Sequence, residues 1–215
     1  MIVLGLTGSI GMGKSTAAAT LQRLRVPLFD ADREVHRLLA PGGGAVEPVA
    51  VAFSGVRAAS GGIDRSLLGQ RVFADPAALS RLERIIHPMV EASEKRFLAL
   101  ARARRQPIVV LDIPLLFESR SERRCDYVLV VSAPQLVQRQ RVLRRPGMTE
   151  KRLAAIISNQ MPDYEKRQRA DFVVPTGLSR GVSLRRLRAI VRRLKAGGSP
   201  VARGSRWYCR QRRRD

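Results

Sequence analysis

Residues 8 to 15 read Gly8-Ser9-Ile10-Gly11-Met12-Gly13-Lys14-Ser15 and complete the pattern G-x-x-x-x-G-K-[ST]. This spacing serves the binding of a polyphosphate. The glycines let successive backbone N–H groups turn inward around phosphate oxygens, and the positive end of a following helix stands behind them. Gly8, Gly11, Met12, Gly13 and Thr16 are the expected backbone contacts. Lys14 is expected to reach the β- and γ-phosphates, and Ser15 to present its hydroxyl to Mg²⁺. A nucleoside triphosphate, ATP or GTP, is the ligand this pattern selects.

Other residues bear chemistry of the same kind. Asp32 follows the short apolar run Val26-Pro27-Leu28-Phe29. A carboxylate there is placed to accept a proton from an attacking hydroxyl or to orient it. Asp30, two residues earlier, suits a helix cap and leaves Asp32 for chemistry. Asp112 ends the run Ile108-Val109-Val110-Leu111, a pattern that resembles a metal-holding strand end, so it is a second candidate for Mg²⁺. The apolar loop Ile113 to Glu118, with Leu116 inside it, either walls a substrate pocket or closes the core. Arg139, Arg141, Arg144 and Arg145 crowd one helix end before Pro146-Gly147. Arginine forks bind phosphate oxygens in a fixed geometry, so this segment is expected to act as a mobile lid. A solvated basic face is the plainer alternative. His87, before Pro88, is a lone histidine with a structural role by default.

The elements that must position these residues follow from hydrophobic periodicity. Ile2 to Leu6 reads as a strand entering the loop, and Thr16 to Leu24 as the helix leaving it. Further short apolar strands are expected at 26–29, 107–111, 127–131 and 172–174. Helices are expected at 33–39, 64–73, 76–86, 89–104, 134–144, 149–160 and 184–194, with His87-Pro88 breaking the third from the fourth. Short buried strands separated by helices predict an α/β fold with a parallel sheet covered on both faces. The helical block 33–105 is then an insertion between the second and third strands, and the lid spans about 139–165. In such sheets ligands bind beyond the carboxyl ends of the strands, where an insertion can cover an acceptor.

Composition bounds the class. Hydrophobic residues make up 45% and aromatics 5%, so the core is expected to be built from Leu, Val, Ile and Ala. No apolar run approaches the roughly 20 residues that span a membrane. No basic segment precedes the first strand, so no signal peptide is expected. Cys125 and Cys209 have no metal-ligand spacing and fit a reduced, cytoplasmic compartment. The formal net charge is +22, and residues 180–215 carry 13 basic side chains against one acid. Such a field attracts polyanions, nucleotides among them, although an Arg-, Ala- and Gly-rich coding bias accounts for part of it. The Gly-, Ser-, Pro- and Arg-rich stretch 197–215 is expected to be a disordered tail beyond a folded domain at 1–196.

Several segments in order resemble the dephospho-CoA kinase family: Leu6 to Thr16, Asp30-Ala31-Asp32, Ile63-Asp64-Arg65, Arg71-Val72-Phe73, Ile86-His87-Pro88 and Pro114 to Glu118. Gln138, Arg141, Arg145, Asn159-Gln160-Met161 and Lys166 through Asp171 continue the match to about residue 178. The resemblance implies transfer of the ATP γ-phosphoryl group to the ribose 3′-hydroxyl of dephospho-CoA, with Mg²⁺. It implies a nucleotide core, a helical acceptor-binding region and a lid. It casts Asp32 as base, Lys14 on the γ-phosphate, Ser15 on Mg²⁺, Arg141 and Arg145 in the lid, and Arg71 and His87 near the acceptor. The stretch Pro175-Thr176-Gly177 departs from the family's usual Asp-Asn turn, and the Arg-rich tail is not required by it. Two other readings compete: a related nucleotide or metabolite kinase, and an NTPase tied to nucleic acid through its basic tail. Against the last, Trp207 and Tyr208 are the only aromatic residues near that charge.

Overall fold

The computed structural model describes residues 1–73 and 75–198. The expected disordered tail, from residue 199 on, lies outside them. The chain divides into two compact units, one made of residues 1–29 with 101 onward, the other of Asp30–Leu100.

The first unit is built on a five-stranded sheet. Its strands are β1 (Ile2–Thr7), β2 (Leu28–Asp30), β3 (Ile108–Asp112), β4 (Tyr127–Ser132) and β5 (Phe172–Pro175), in the order β2-β3-β1-β4-β5. β1 runs parallel to β3 on one side and β4 on the other, and β4 runs parallel to β5. Every residue of β3 is buried, which is why it reads as a continuous apolar run rather than an alternation. α1 (Lys14–Arg23) and α9 (Arg180–Lys195) pack together on one face. There Leu21, Leu187, Val191 and Leu194 join Leu4, Leu6, Val110, Leu129 and Val131 in one core. Burying each such leucine stabilises the fold by about 1.5–3 kcal/mol. On the opposite face of β1, Leu116 and Cys125 pack at Gly5, where a side chain would collide with both. α6 (Gln135–Leu143), α7 (Glu150–Ser158) and α8 (Asp163–Arg169) lie between β4 and β5 in sequence.

The second unit contains α2 (Ala31–Leu39), α3 (Val46–Ala52), α4 (Arg65–Phe73) and most of α5 (Pro76–Ala103). It has its own core, with Leu38, Val46, Val49, Phe53, Val56, Ile63, Leu68 and Ile86 buried together. Three helix starts expected from sequence form as expected. Asp30 accepts from the Arg33 N–H, Asp64 from those of Ser66 and Leu67, and Asp75 from that of Ala77. The break expected at His87-Pro88 does not occur. α5 runs through Pro88 for 28 residues. Proline costs an interior helix about 3 kcal/mol. Leu82, Ile85, Ile86, Met89 and Val90 pack on the same core from both sides of it, and that burial carries the helix across.

Candidate active site

The phosphate loop leaves the carboxyl end of β1 and enters α1. Gly11 has φ 75° and Gly13, at the helix start, φ 87°, a backbone that side-chain-bearing residues rarely adopt. A β-carbon on Gly11 would also lie 2.6 Å from the Val142 side chain. Gly13 starts α1 without a side-chain cap, and the first helical turn holds no acid. No acid of the helix's own first turn competes for its N–H groups, which suits an anion site. Ser15 and Thr16 are exposed there.

Register brings Asp112, the last residue of β3, level with Leu6 of β1. Lys14 Nζ donates to Asp112 Oδ1 at 3.0 Å, with 17% and 3% of the two side chains exposed. Two of the expected chemistry-bearing residues thus meet in a largely buried ion pair.

The loop is braced from outside by residues far away in sequence. Thr176 Oγ1 donates toward the Met12 carbonyl at 2.6 Å and lies 3.3 Å from that of Ser132. Arg141 donates to the Thr176 carbonyl at 2.6 Å and also approaches the Gly11 carbonyl. Gln138 Nε2 donates to the Ile10 carbonyl at 2.8 Å, and the Ile10 N–H donates to Gln160 Oε1 at 3.1 Å. Of the four arginines expected in a lid, Arg141 is half-buried against the loop. Arg144 and Arg145 are exposed at the end of α6. Arg139 pairs with Glu150 of α7, and that hydrogen bond, then the carboxylate charge, raises the pKa of its guanidinium above the usual value.

The remaining expected residues fall as follows. Leu116 is fully buried while its neighbour Leu115 is exposed, so in this segment Leu116 closes the core. In the second unit, Asp32 is exposed in the first turn of α2, Arg71 is exposed on α4 and His87 on α5. Three residues in the loop's surroundings had no role assigned from sequence: Thr176, Gln160 and Lys166. Thr176 sits in the stretch that departs from the family pattern. Gln160 and Lys166 belong to the matching segments, and order in that match was their only signal.

A parallel sheet of this order, with a glycine-rich loop after its central strand and a lysine–aspartate pair beside it, defines a phosphate-loop kinase. The shikimate kinase of Acinetobacter baumannii shares that fold alone, at 16% identity and TM-score 0.51 over 92% of this chain and 94% of that one. The sequence profile of dephospho-CoA kinases matches residues 2–179. The chain belongs to the dephospho-CoA kinase family, and with that it is a phosphotransferase. It is 58% identical to the dephospho-CoA kinase of Paramagnetospirillum magneticum over 94% of each chain. It is 52% identical to that of Rhodospirillum rubrum over 96% of this chain and 98% of the relative. Among solved structures, dephospho-CoA kinase from Campylobacter jejuni is 25% identical with TM-score 0.69, over 91% of this chain and 98% of that one.

Proposed function

We infer that the chain transfers the γ-phosphoryl group of ATP to the ribose 3′-hydroxyl of dephospho-CoA, giving CoA and ADP, the last step of coenzyme A biosynthesis. The observation that carries this reading is the family match, which runs unbroken from β1 through the loop, the inserted helices and the lid segment.

In the reaction the 3′-oxygen attacks the γ-phosphorus and the bond to the β,γ-bridging oxygen breaks. ADP leaves, and the hydroxyl proton passes to the Asp32 carboxylate. Asp32 suits that role because it is exposed and Asp30 already supplies the helix cap. The phosphate loop, from Gly8 to Thr16, cradles the phosphates with its N–H groups, and Lys14 offsets charge on the γ-phosphate. Arg141 acts from the rim of the loop and Arg145 from the exposed end of α6, as arms of a lid over about 139–165. Arg71 and His87, exposed on helices of the 33–105 insertion, serve the acceptor.

Mg²⁺ fits the residues present. In nucleotide sites the ion takes one or two protein oxygens and completes its shell with phosphate and water. Ser15 and Asp112 offer such oxygens. Among the described residues no three His, Cys, Asp or Glu side chains converge into a preformed cage, and none is needed. When bound, the ion would screen the phosphate charges. No described helix is long and apolar enough to cross a membrane. Cytoplasmic residence and cytoplasmic substrates fit this reading.

An acceptor panel tests it. With ATP and Mg²⁺, ADP release should be fast with dephospho-CoA and near background with shikimate, adenosine and nucleoside monophosphates. Good turnover of one of these and none of dephospho-CoA would sink the assignment.

A further inference from the structure

Lys166 of α8 is fully buried, unusual for a lysine, and its ion-pair partner is Glu118 Oε1 at 2.8 Å. The same carboxylate oxygen accepts the Met161 N–H at 2.7 Å. The residue before Met161 is Gln160, whose side-chain oxygen accepts the Ile10 N–H of the phosphate loop. Gln138 takes the Ile10 carbonyl from the other side. Both peptide groups of one loop residue are thus held by side-chain amides. One comes from α6 and one from the segment just after α7, the two ends of the α6–α7 hairpin.

We propose that Lys166 is a positioning residue for phosphoryl transfer: through Glu118 and the Met161 N–H it fixes Gln160, and through Gln160 the phosphate loop. This rests on the reading of the loop as the ATP site. A buried ion pair is a poor way to gain stability, because removing two charges from water offsets most of their attraction. Lys166 Nζ meets Glu118 as an ion pair without an aligned hydrogen bond, and Glu118 Oε2 is buried with no hydrogen-bond partner, which adds to that cost. Burial of this charge is therefore best explained by the geometry it fixes. Lys166 stiffens a turn that has no regular structure of its own between α7 and α8. That turn sets where Ile10 sits, and small displacements of phosphate-binding groups are expensive in rate.

Steady-state kinetics with both substrates varied tests the relay, using wild type, Gln160→Ala, Lys166→Met, Lys166→Arg and the Gln160→Ala/Lys166→Met double variant. Gln160→Ala and Lys166→Met should each lower kcat/KM for ATP by about tenfold or more, part of it as a raised KM for ATP. KM for dephospho-CoA should stay within about twofold, and the double variant should be no worse than the worse single one. Lys166→Arg, which keeps the charge, should retain most activity. A merely structural role would reduce kcat through fewer folded molecules and move neither KM, and that result would overturn the proposal. So would additive losses. If Lys166→Met does not fold, Gln160→Ala and Lys166→Arg decide alone: wild-type kinetics in the first, or a loss of tenfold or more in the second, refutes the relay. A wild-type enzyme inactive on dephospho-CoA would instead refute the underlying assignment.

Discussion

Asp32, proposed as the base, and Thr176, which braces the loop, call for opposite tests. Asp32 is exposed and carries no load in the fold, so Asp32→Asn should leave stability within about 0.5 kcal/mol. Turnover should fall by about 10²–10⁴, with KM for ATP little changed; an unchanged rate would remove Asp32 from the chemistry. Thr176 does the reverse. Its hydroxyl links the Met12 and Ser132 carbonyls, so Thr176→Val should cost about 1 kcal/mol in denaturant unfolding and raise KM for ATP several-fold. A variant indistinguishable from wild type in both would show that the brace is idle. The positions of the loop and of Asp112 were legible in sequence, because glycine spacing and an apolar run ending in a carboxylate mark them locally. Thr176 was not. It acts on a carbonyl 164 residues away, and nothing local marks it.

Among elements, helix starts were the most legible, because a cap is a local contact: Asp30, Asp64 and Asp75 each bond an N–H two or three residues on. α8 was not. Periodicity finds a helix by its apolar inward face, and the buried residue of α8 is Lys166. α5 misled in the opposite direction, since the local signal of Pro88 was overridden by apolar packing on either side. That packing tolerates a cost, so Pro88→Ala should stabilise the protein by about 1–2 kcal/mol, seen as a higher urea midpoint with an unchanged slope. Loss of stability would mean that Pro88 shapes the helix in a way the core needs.

At the scale of the whole molecule, the succession of the five strands was readable, α3 and α8 between them were not, and the sheet order followed only from the structure. Short apolar strands announce a parallel sheet, but the placement of β1 between β3 and β4 depends on contacts distant in sequence. That placement is what sets Asp112 beside Lys14. The charge of +22 belongs to this scale too. Removing residues 199–215 deletes six arginines and one aspartate. The shortened chain should keep its kcat and lose any salt-sensitive affinity for RNA or DNA. A large fall in kcat would give the tail a part in the reaction. The measurement that tests the central claim most directly is the identity of the product. After incubation of the full chain with ATP, Mg²⁺ and dephospho-CoA, mass spectrometry and phosphorus NMR should find one new phosphate monoester, on the ribose 3′-oxygen, for each ADP released. ADP released without that monoester, or a phosphate on any other oxygen, would contradict the account.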